Sequence, residues 1–190
     1  MNRRDALGAM MALGTSACTG LPLAPRVEEA PVGTNFTAAV PYIPTRPEIV
    51  DAMLTLASIS ARDVVYDLGC GDGRIVIAAA KRYGASGLGV DIQLEPLAIA
   101  ESQAHWEGVS NRVKFSMGDL FDLDLRPATV VMLYLSVELN VRLHPKLLAQ
   151  LRPGSRVVSN RFDMANVWRP ARTIVVGETP IHLWRIDAAT

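Results

Sequence analysis

The stretch from Val64 to Arg74 reads Val-Val-Tyr-Asp-Leu-Gly-Cys-Gly-Asp-Gly-Arg, and it constrains the fold more than any other part of the chain. Its β-branched and aromatic start predicts a short buried strand. Three glycines follow at alternate positions: Gly69, Gly71 and Gly73. Glycine can take a positive φ and lets a ligand approach the backbone closely. The apolar run from Ile75 to Tyr83 then predicts a helix that ends at Gly84. Open α/β sheets bind nucleotide-like ligands at such turns, at the carboxyl end of a parallel strand.

The spacing of this turn differs from that of a dinucleotide site. The dinucleotide fingerprint is G-x-G-x-x-G, whereas here the third glycine comes one residue early and an acid, Asp67, precedes the turn. The pattern resembles the first motif of the class I S-adenosylmethionine (SAM) dependent methyltransferases, D/E-x-G-x-G-x-G. SAM has no pyrophosphate but has a positively charged amino acid end, which suits an acid at the end of a strand. An ordinary strand-turn-helix with glycines for the turn is the alternative.

Two further acids stand at the ends of predicted strands. Asp91 ends the strand that begins at Gly87, 22 residues after Gly69, where an acid can bind both hydroxyls of a ribose. Asp119 follows the predicted strand Val113–Met117. The resemblance implies that Asp119 and Leu120 hold the adenine, and that Ile92 also lies in the cofactor site. The alternatives are a helix-capping acid at 91 and a turn aspartate at 119.

The order of predicted elements indicates one α/β domain over residues 36–190. Five β-α units are followed by a hairpin of Arg172–Val176 and Ile181–Ile186. This order predicts the Rossmann-like seven-stranded methyltransferase sheet, mostly parallel, with an antiparallel C-terminal hairpin and helices on both faces. The chain has 190 residues, of which 49% are hydrophobic, and this is sufficient for one domain with a hydrophobic core.

Several segments together resemble a narrower group, the small protein-lysine methyltransferases related to the mitochondrial enzymes that modify the ATP synthase c subunit and the adenine nucleotide translocase. The matching residues, besides the glycine turn, are Pro41-Tyr42-Ile43-Pro44, Asp119-Leu120-Phe121, Leu133-Tyr134-Leu135 and Arg156-Val157-Val158-Ser159. The resemblance implies methyl transfer from SAM to an amine, most simply a protein lysine. A small-molecule methyltransferase, an exported SAM-binding protein without catalysis and an oxidoreductase are the alternatives.

Candidate catalytic residues lie near the fourth predicted strand and ahead of the core. In this fold substrates meet the methyl group after the fourth strand, where Tyr134, Glu138 and Asn140 stand. An amine must be neutral to react, and Glu138 could orient or deprotonate it; a helix-start acid is the alternative. Tyr42 lies in a stiff proline-rich segment that could cover the ligand, and Thr45 suits the N-cap of the following helix.

Composition excludes several other functions. The formal net charge is zero, so no strong field favours nucleic acid or an anionic membrane. The scattered histidines show no metal-ligand spacing, and we expect no metal. Cys70 is expected to be a small buried residue rather than a nucleophile. We expect a monomer that acts on a protein or a small amine.

The N-terminus resembles an export signal. The pair Arg3-Arg4 precedes an uncharged segment, Ala6 to Ala17, which suggests the twin-arginine type. Cys18 then stands where a lipoprotein is lipidated, so residues 1–18 are interpreted as a signal and 19–35 as a flexible linker. This predicts an exported, periplasmic or lipid-anchored protein with membrane contact only through Cys18. A tail on a cytoplasmic protein is the alternative. SAM is made in the cytoplasm, so an exported enzyme must receive SAM by another route or act before export, unless one of the two interpretations, export or SAM binding, is wrong.

Overall fold

A computed structural model describes residues 43–187. The helices are α1 (Pro47–Leu56), α2 (Arg74–Tyr83), α3 (Leu94–Trp106) and α4 (Val137–Gln150). The strands are β1 (Val64–Leu68), β2 (Ser86–Asp91), β3 (Val113–Met117), β4 (Val130–Leu133), β5 (Arg156–Asn160), β6 (Arg172–Val176) and β7 (Thr179–Arg185). The predicted signal, linker, Cys18 and Tyr42 lie outside the described residues and stay predictions.

The seven strands form one sheet in the order β3-β2-β1-β4-β5-β7-β6. Strands β1 to β5 are parallel, and β7 runs antiparallel to both β5 and β6. The predicted seven-stranded methyltransferase sheet is therefore confirmed. Its strand order reverses between β1 and β4, which opens a crevice at their carboxyl ends. In open α/β sheets this crevice is where ligands bind.

Helices cover both faces of the sheet, as predicted. Successive strand residues point to opposite faces, and Val157 and Val158 of β5 accordingly belong to different cores. Val158 packs in the core beneath α1 and α2, and Val157 in the core beneath α4. None of the helices in residues 43–187 is long and apolar enough to cross a bilayer. Within the same range, no group of three or more His, Cys, Asp or Glu residues could hold a metal ion.

The prediction of five β-α units is wrong at two connections. Residues 118–129, between β3 and β4, and residues 161–171, between β5 and β6, contain no helix. In the first connection the Asp119 carboxylate accepts a hydrogen bond from the Phe121 N–H (2.8 Å), and Asp124 accepts one from the Arg126 N–H (3.0 Å). Such local side-chain bonds give the backbone an alternative to a helix.

Two helix starts differ from the sequence prediction. The sequence pattern predicts a helix from Val141 to Leu151, but α4 begins four residues earlier, at Val137. The Ser136 hydroxyl accepts a hydrogen bond from the Leu139 N–H (3.4 Å) and caps the helix there. The predicted N-cap role of Thr45 is wrong, since Arg46 occupies the N-cap of α1. Thr45 is buried, and its carbonyl accepts a hydrogen bond from Arg74 instead.

Candidate cofactor and acceptor site

The glycine turn joins β1 to α2 in a left-handed backbone conformation. Gly69, Gly71 and Gly73 have φ of 80°, 52° and 73°. The N–H groups of Gly69 and Cys70 donate to the Val90 carbonyl at 2.8 and 3.0 Å, which ties the turn to the end of β2. Residues with a Cβ rarely adopt this conformation, so the turn depends on its glycines.

Two of these glycines also lie so close to side chains that a Cβ at either would displace its neighbour. A Cβ on Gly73 would stand 2.4 Å from Cε1 of Phe115, and one on Gly69 would stand 3.0 Å from Cδ2 of Leu135. Leu135 follows β4, so the turn packs directly against the far side of the crevice. The glycines thus bring β1, β3 and β4 together at the sheet edge where a ligand is expected.

Three acids converge beside this turn. Only 2% of the surface of Asp67 is exposed, Asp72 is also buried, and Asp91 is half-buried. Burial, together with the negative charges of Asp91 and Asp72, raises the pKa of Asp67 to about 8. Within residues 43–187, no group donates a hydrogen bond to the Asp67 carboxylate. A buried carboxylate of this kind is suited to bind a cation, which supplies the missing partner.

Asp91 is held in place by the backbone but keeps binding capacity. Its Oδ2 accepts a hydrogen bond from the Gly71 N–H (2.8 Å), and its Oδ1 accepts one from the Gln93 N–H (3.0 Å). A carboxylate has about four lone-pair sites, so each oxygen can still accept a bond from a hydroxyl group. The half-buried Ile92 follows directly.

Asp119 is brought to the same edge of the sheet as Asp91. Met117 at the end of β3 is in register with Asp91, and the Gly118 N–H donates to the Asp91 carbonyl at 3.0 Å. Asp119 and Leu120 follow, both half-buried. The Asp119 Oδ1 forms the turn described above, so the alternative role as a turn aspartate is present, while Oδ2 makes no bond among residues 43–187.

Arg74 has a role that the sequence pattern did not predict. Its Nε and Nη2 donate to the Asp72 carboxylate at 2.8 and 2.5 Å, and its Nη1 donates to the Thr45 carbonyl at 2.7 Å. Arg74 therefore joins the glycine turn to the segment ahead of α1. The signal was present in the sequence, because an arginine stands where the dinucleotide fingerprint has its third glycine.

The predicted catalytic residues lie across the crevice, after β4. Tyr134 is half-buried and stacks on Phe162, with ring centroids 6.3 Å apart and planes at 23°. Glu138 is exposed in the first turn of α4, and hydrogen bonds from its own backbone N–H and from Ser136 lower the pKa of its carboxyl. Cys70 is buried, and burial raises the pKa of its thiol, as expected of a packing residue.

The sheet, its reversal between β1 and β4, and the acidic glycine turn together define a class I SAM-dependent methyltransferase. The model of the family "ANTKMT methyltransferase domain" matches residues 67–172, and the chain belongs to this family. The predicted family, enzyme class and cofactor are confirmed, and the oxidoreductase alternative is not favoured.

Three similar proteins of known name are all methyltransferases, but their names give different acceptors, either protein lysine or RNA. A protein-lysine N-methyltransferase of Saccharolobus islandicus is 41% identical over 143 residues, which cover 75% of this chain and 88% of the relative. The adenine nucleotide translocase lysine N-methyltransferase of Mus musculus is 34% identical over 148 residues, 78% of this chain and 63% of the mouse enzyme. An RNA methyltransferase of Salinibacter ruber, crystallised with S-adenosylhomocysteine (SAH), is 44% identical with a TM-score of 0.76, covering 78% of this chain and 96% of that one.

The residues present fit SAM. The buried Asp67 carboxylate, which accepts no hydrogen bond from residues 43–187, complements a cationic group, and the turn beside it carries no Cβ at its three left-handed positions. The remaining lone pairs of Asp91 match the hydroxyl groups of a ribose.

Proposed function

We propose that this enzyme transfers a methyl group from SAM to the amine of a protein lysine. The observation that carries the proposal is the 41% identity to a protein-lysine N-methyltransferase over 88% of that relative's length. The similarity to an RNA methyltransferase points to another acceptor. A zero net charge argues against RNA, because proteins that bind it present basic surface to its phosphates.

We propose the following roles on the cofactor side. Asp67 and the glycine turn, Gly69, Gly71 and Gly73, hold the amino acid end; Asp91 and Ile92 hold the ribose; and Asp119 and Leu120 hold the adenine. When bound, SAM supplies a methyl group that its sulfonium already activates. The protein residues therefore bind, align and exclude water rather than activate the methyl group.

On the acceptor side, the residues must receive a neutral amine. Lysine has an ordinary pKa of about 10.4, which an apolar pocket lowers. We assign Tyr134 to this pocket because it is half-buried at the carboxyl end of β4, opposite the glycine turn. Glu138 as the base and Tyr42 as a cover stay predictions. The lowered pKa of Glu138 makes it a weaker base.

The test is to follow a labelled methyl group from SAM into an extract of source cells that lack this enzyme. We expect label that protease releases and ribonuclease does not, with methyl-lysine found by mass spectrometry of the labelled protein. Asp67→Ala, which removes the proposed cofactor contact, is the inactive control. Label that ribonuclease releases would overturn the lysine proposal in favour of RNA. Label confined to the low-mass fraction would indicate a small-molecule acceptor.

A further inference from the structure

Asn140, in the second turn of α4, holds the connection that follows β5. Its side chain is fully buried, and its Nδ2 donates to the Ser159 hydroxyl (3.3 Å) and to the carbonyls of Phe162 (3.1 Å) and Asp163 (3.3 Å). Carbonyl oxygens can only accept, so the amide nitrogen must face this connection. One side chain thus joins α4 to both ends of a five-residue segment, Ser159 to Asp163.

The segment that Asn140 holds is strained. Arg161 has a φ of 68°, a conformation that residues with a Cβ rarely adopt, and its N–H donates to the Pro180 carbonyl at 2.8 Å. The Phe162 N–H donates to the Asn160 carbonyl at 2.8 Å. Strained residues persist only where their surroundings hold them, and they cluster at functional sites.

The effect of this arrangement is to set the position of one aromatic ring. Phe162 stacks on Tyr134, the residue directly after β4, at the reversal of strand order where the ligand crevice opens. Cations are attracted to the face of an aromatic ring. The Arg161 guanidinium already lies 5.8 Å from the centroid of the Phe162 ring. The Tyr134–Phe162 pair therefore suits the ammonium form in which a lysine arrives, before it loses its proton, and the methylated products, which are still cationic.

Stability alone does not explain the asparagine. Its Oδ1 is completely buried and has no hydrogen-bond partner within residues 43–187. A buried acceptor without a donor lowers stability, and an apolar residue of similar shape would avoid that cost. An apolar residue could not replace the Nδ2–H donor groups of Asn140, and these donor groups hold the connection.

We propose that Asn140 is a positioning residue for the acceptor: it fixes the segment from Ser159 to Asp163 and so places Phe162 against Tyr134 as the wall that the amine approaches. This inference rests on the proposed amine acceptor. It assigns Asn140 no contact with SAM. Its loss therefore weakens use of the acceptor and leaves cofactor affinity unchanged.

The test compares Asn140→Ala, Phe162→Leu and the double variant with the wild type. SAH affinity is measured by calorimetry, and methylation of the cell extract is measured at saturating SAM against the amount of extract protein. We expect each single variant to lose on the order of ten-fold to a hundred-fold in acceptor kcat/KM, with a higher half-saturating amount of extract and unchanged SAH affinity. The double variant should be no worse than the poorer single variant, because both changes remove the same wall.

Gln150→Ala is the matched control, since Gln150 is also an amide side chain on α4 that holds a connection, where its Oε1 accepts a hydrogen bond from the Leu125 N–H (2.8 Å), but it makes no bond to residues 159–163 within the described range 43–187. We expect it to keep its acceptor kcat/KM. The proposal is overturned if Asn140→Ala behaves like this control, if it loses SAH affinity in parallel, or if the two losses add in the double variant.

Amide hydrogen exchange separates this proposal from the proposed function. In Asn140→Ala, exchange in residues 159–165 should accelerate about ten-fold or more, while the glycine turn keeps its protection. Unchanged exchange in residues 159–165 overturns the positioning role whatever the acceptor is. If the wild type labels no protein while exchange accelerates as expected, the lysine proposal fails and the structural role of Asn140 stands.

Discussion

The Asp91 carboxylate accepts a hydrogen bond from the backbone N–H of Gly71 at 2.8 Å, across 20 positions of sequence. The acid expected to bind ribose is thereby joined to the glycine turn expected to hold the amino acid end of SAM. A second bond from the Gln93 N–H fixes the other carboxylate oxygen. Both parts of the proposed cofactor site are therefore aligned before a ligand arrives, which reduces the cost of ordering them on binding.

Replacement of Asp91 by Ala should weaken SAH binding ten-fold or more. The variant loses hydrogen bonds to a charged group, worth about 1.5–3 kcal/mol, and releases the Gly71 N–H. Calorimetric titration of the wild type and the variant measures the difference. Asp124→Ala, which removes an exposed acid paired with Arg126, is the control and should bind normally. Unchanged affinity in Asp91→Ala would refute the ribose assignment.

Binding of SAH should release a proton from Asp67. The folded pKa of about 8 lies above the ordinary value of 3.8, so near neutral pH the ligand-free carboxyl holds its proton. A cationic amine beside it favours the carboxylate, and affinity should therefore rise as pH rises towards 8. Titrations at about pH 7 in buffers of different ionisation enthalpy report the proton. Asp67→Asn should abolish the release, and a buffer-independent enthalpy in the wild type would contradict the prediction.

Gly73→Ala should destabilise the fold more than Gly154→Ala. Both glycines have a left-handed φ, 73° and 86°, but a Cβ on Gly154 meets nothing within 4 Å while one on Gly73 overlaps Phe115. Gly154→Ala should therefore cost only the backbone strain, about 1–2 kcal/mol. Gly73→Ala should add about 1–3 kcal/mol for overpacking. Urea unfolding compares the two, and equal losses would show that Phe115 yields without cost.

The ion pair between Asp63 and Arg156 should account for part of the stability that the fold loses in acid. Arg156 Nη2 donates to Asp63 Oδ1 at 2.8 Å. Burial raises the pKa of Asp63, but hydrogen bonds from Thr129, Ser60 and Arg156 outweigh it and hold that pKa below the ordinary value. The stabilisation is thus present above about pH 4 and is lost as pH falls through the lowered pKa.

Removal of the arginine tests this pair. Arg156→Met should destabilise the fold by about 3 kcal/mol near neutral pH, because it leaves the Asp63 charge buried with fewer partners. The loss should shrink in acid, where Asp63 is protonated in both proteins. Thermal melting across the acid range measures it, with Arg126→Met as the control for an exposed arginine. An equal loss at every pH would contradict the electrostatic origin.

Glu138→Gln tests the predicted base. The carboxylate is exposed, and hydrogen bonds from its own backbone N–H and from Ser136 lower its pKa. We therefore expect Glu138 to stabilise the start of α4, and the variant to lose less than about ten-fold in methylation rate. A base that takes up the proton contributes about 10²–10⁴-fold. A loss in that range, with a changed pH profile of kcat, would assign the base to Glu138.

Local pattern was sufficient for much of the fold. Val113–Met117 and Arg172–Val176 were predicted with the observed bounds, and Gly84 ends α2 as expected. These elements are determined by alternation, apolar runs and glycine, which act between near neighbours in the chain. The positions of Asp67, Asp91 and Asp119 followed from the same logic, since each stands within two residues of the end of a strand and parallel strands end at one edge.

The sequence by itself determined the sheet, the glycine turn and which acids stand at its edge. Only the tertiary structure decided that Asp91 binds Gly71, that Arg74 joins the turn to Thr45, and that Asn140 holds the segment beside Tyr134. It also decided that two connections form no helix. The physical reason is that these features depend on hydrogen bonds between side chains and backbone groups whose distance and direction arise only after the strands have paired.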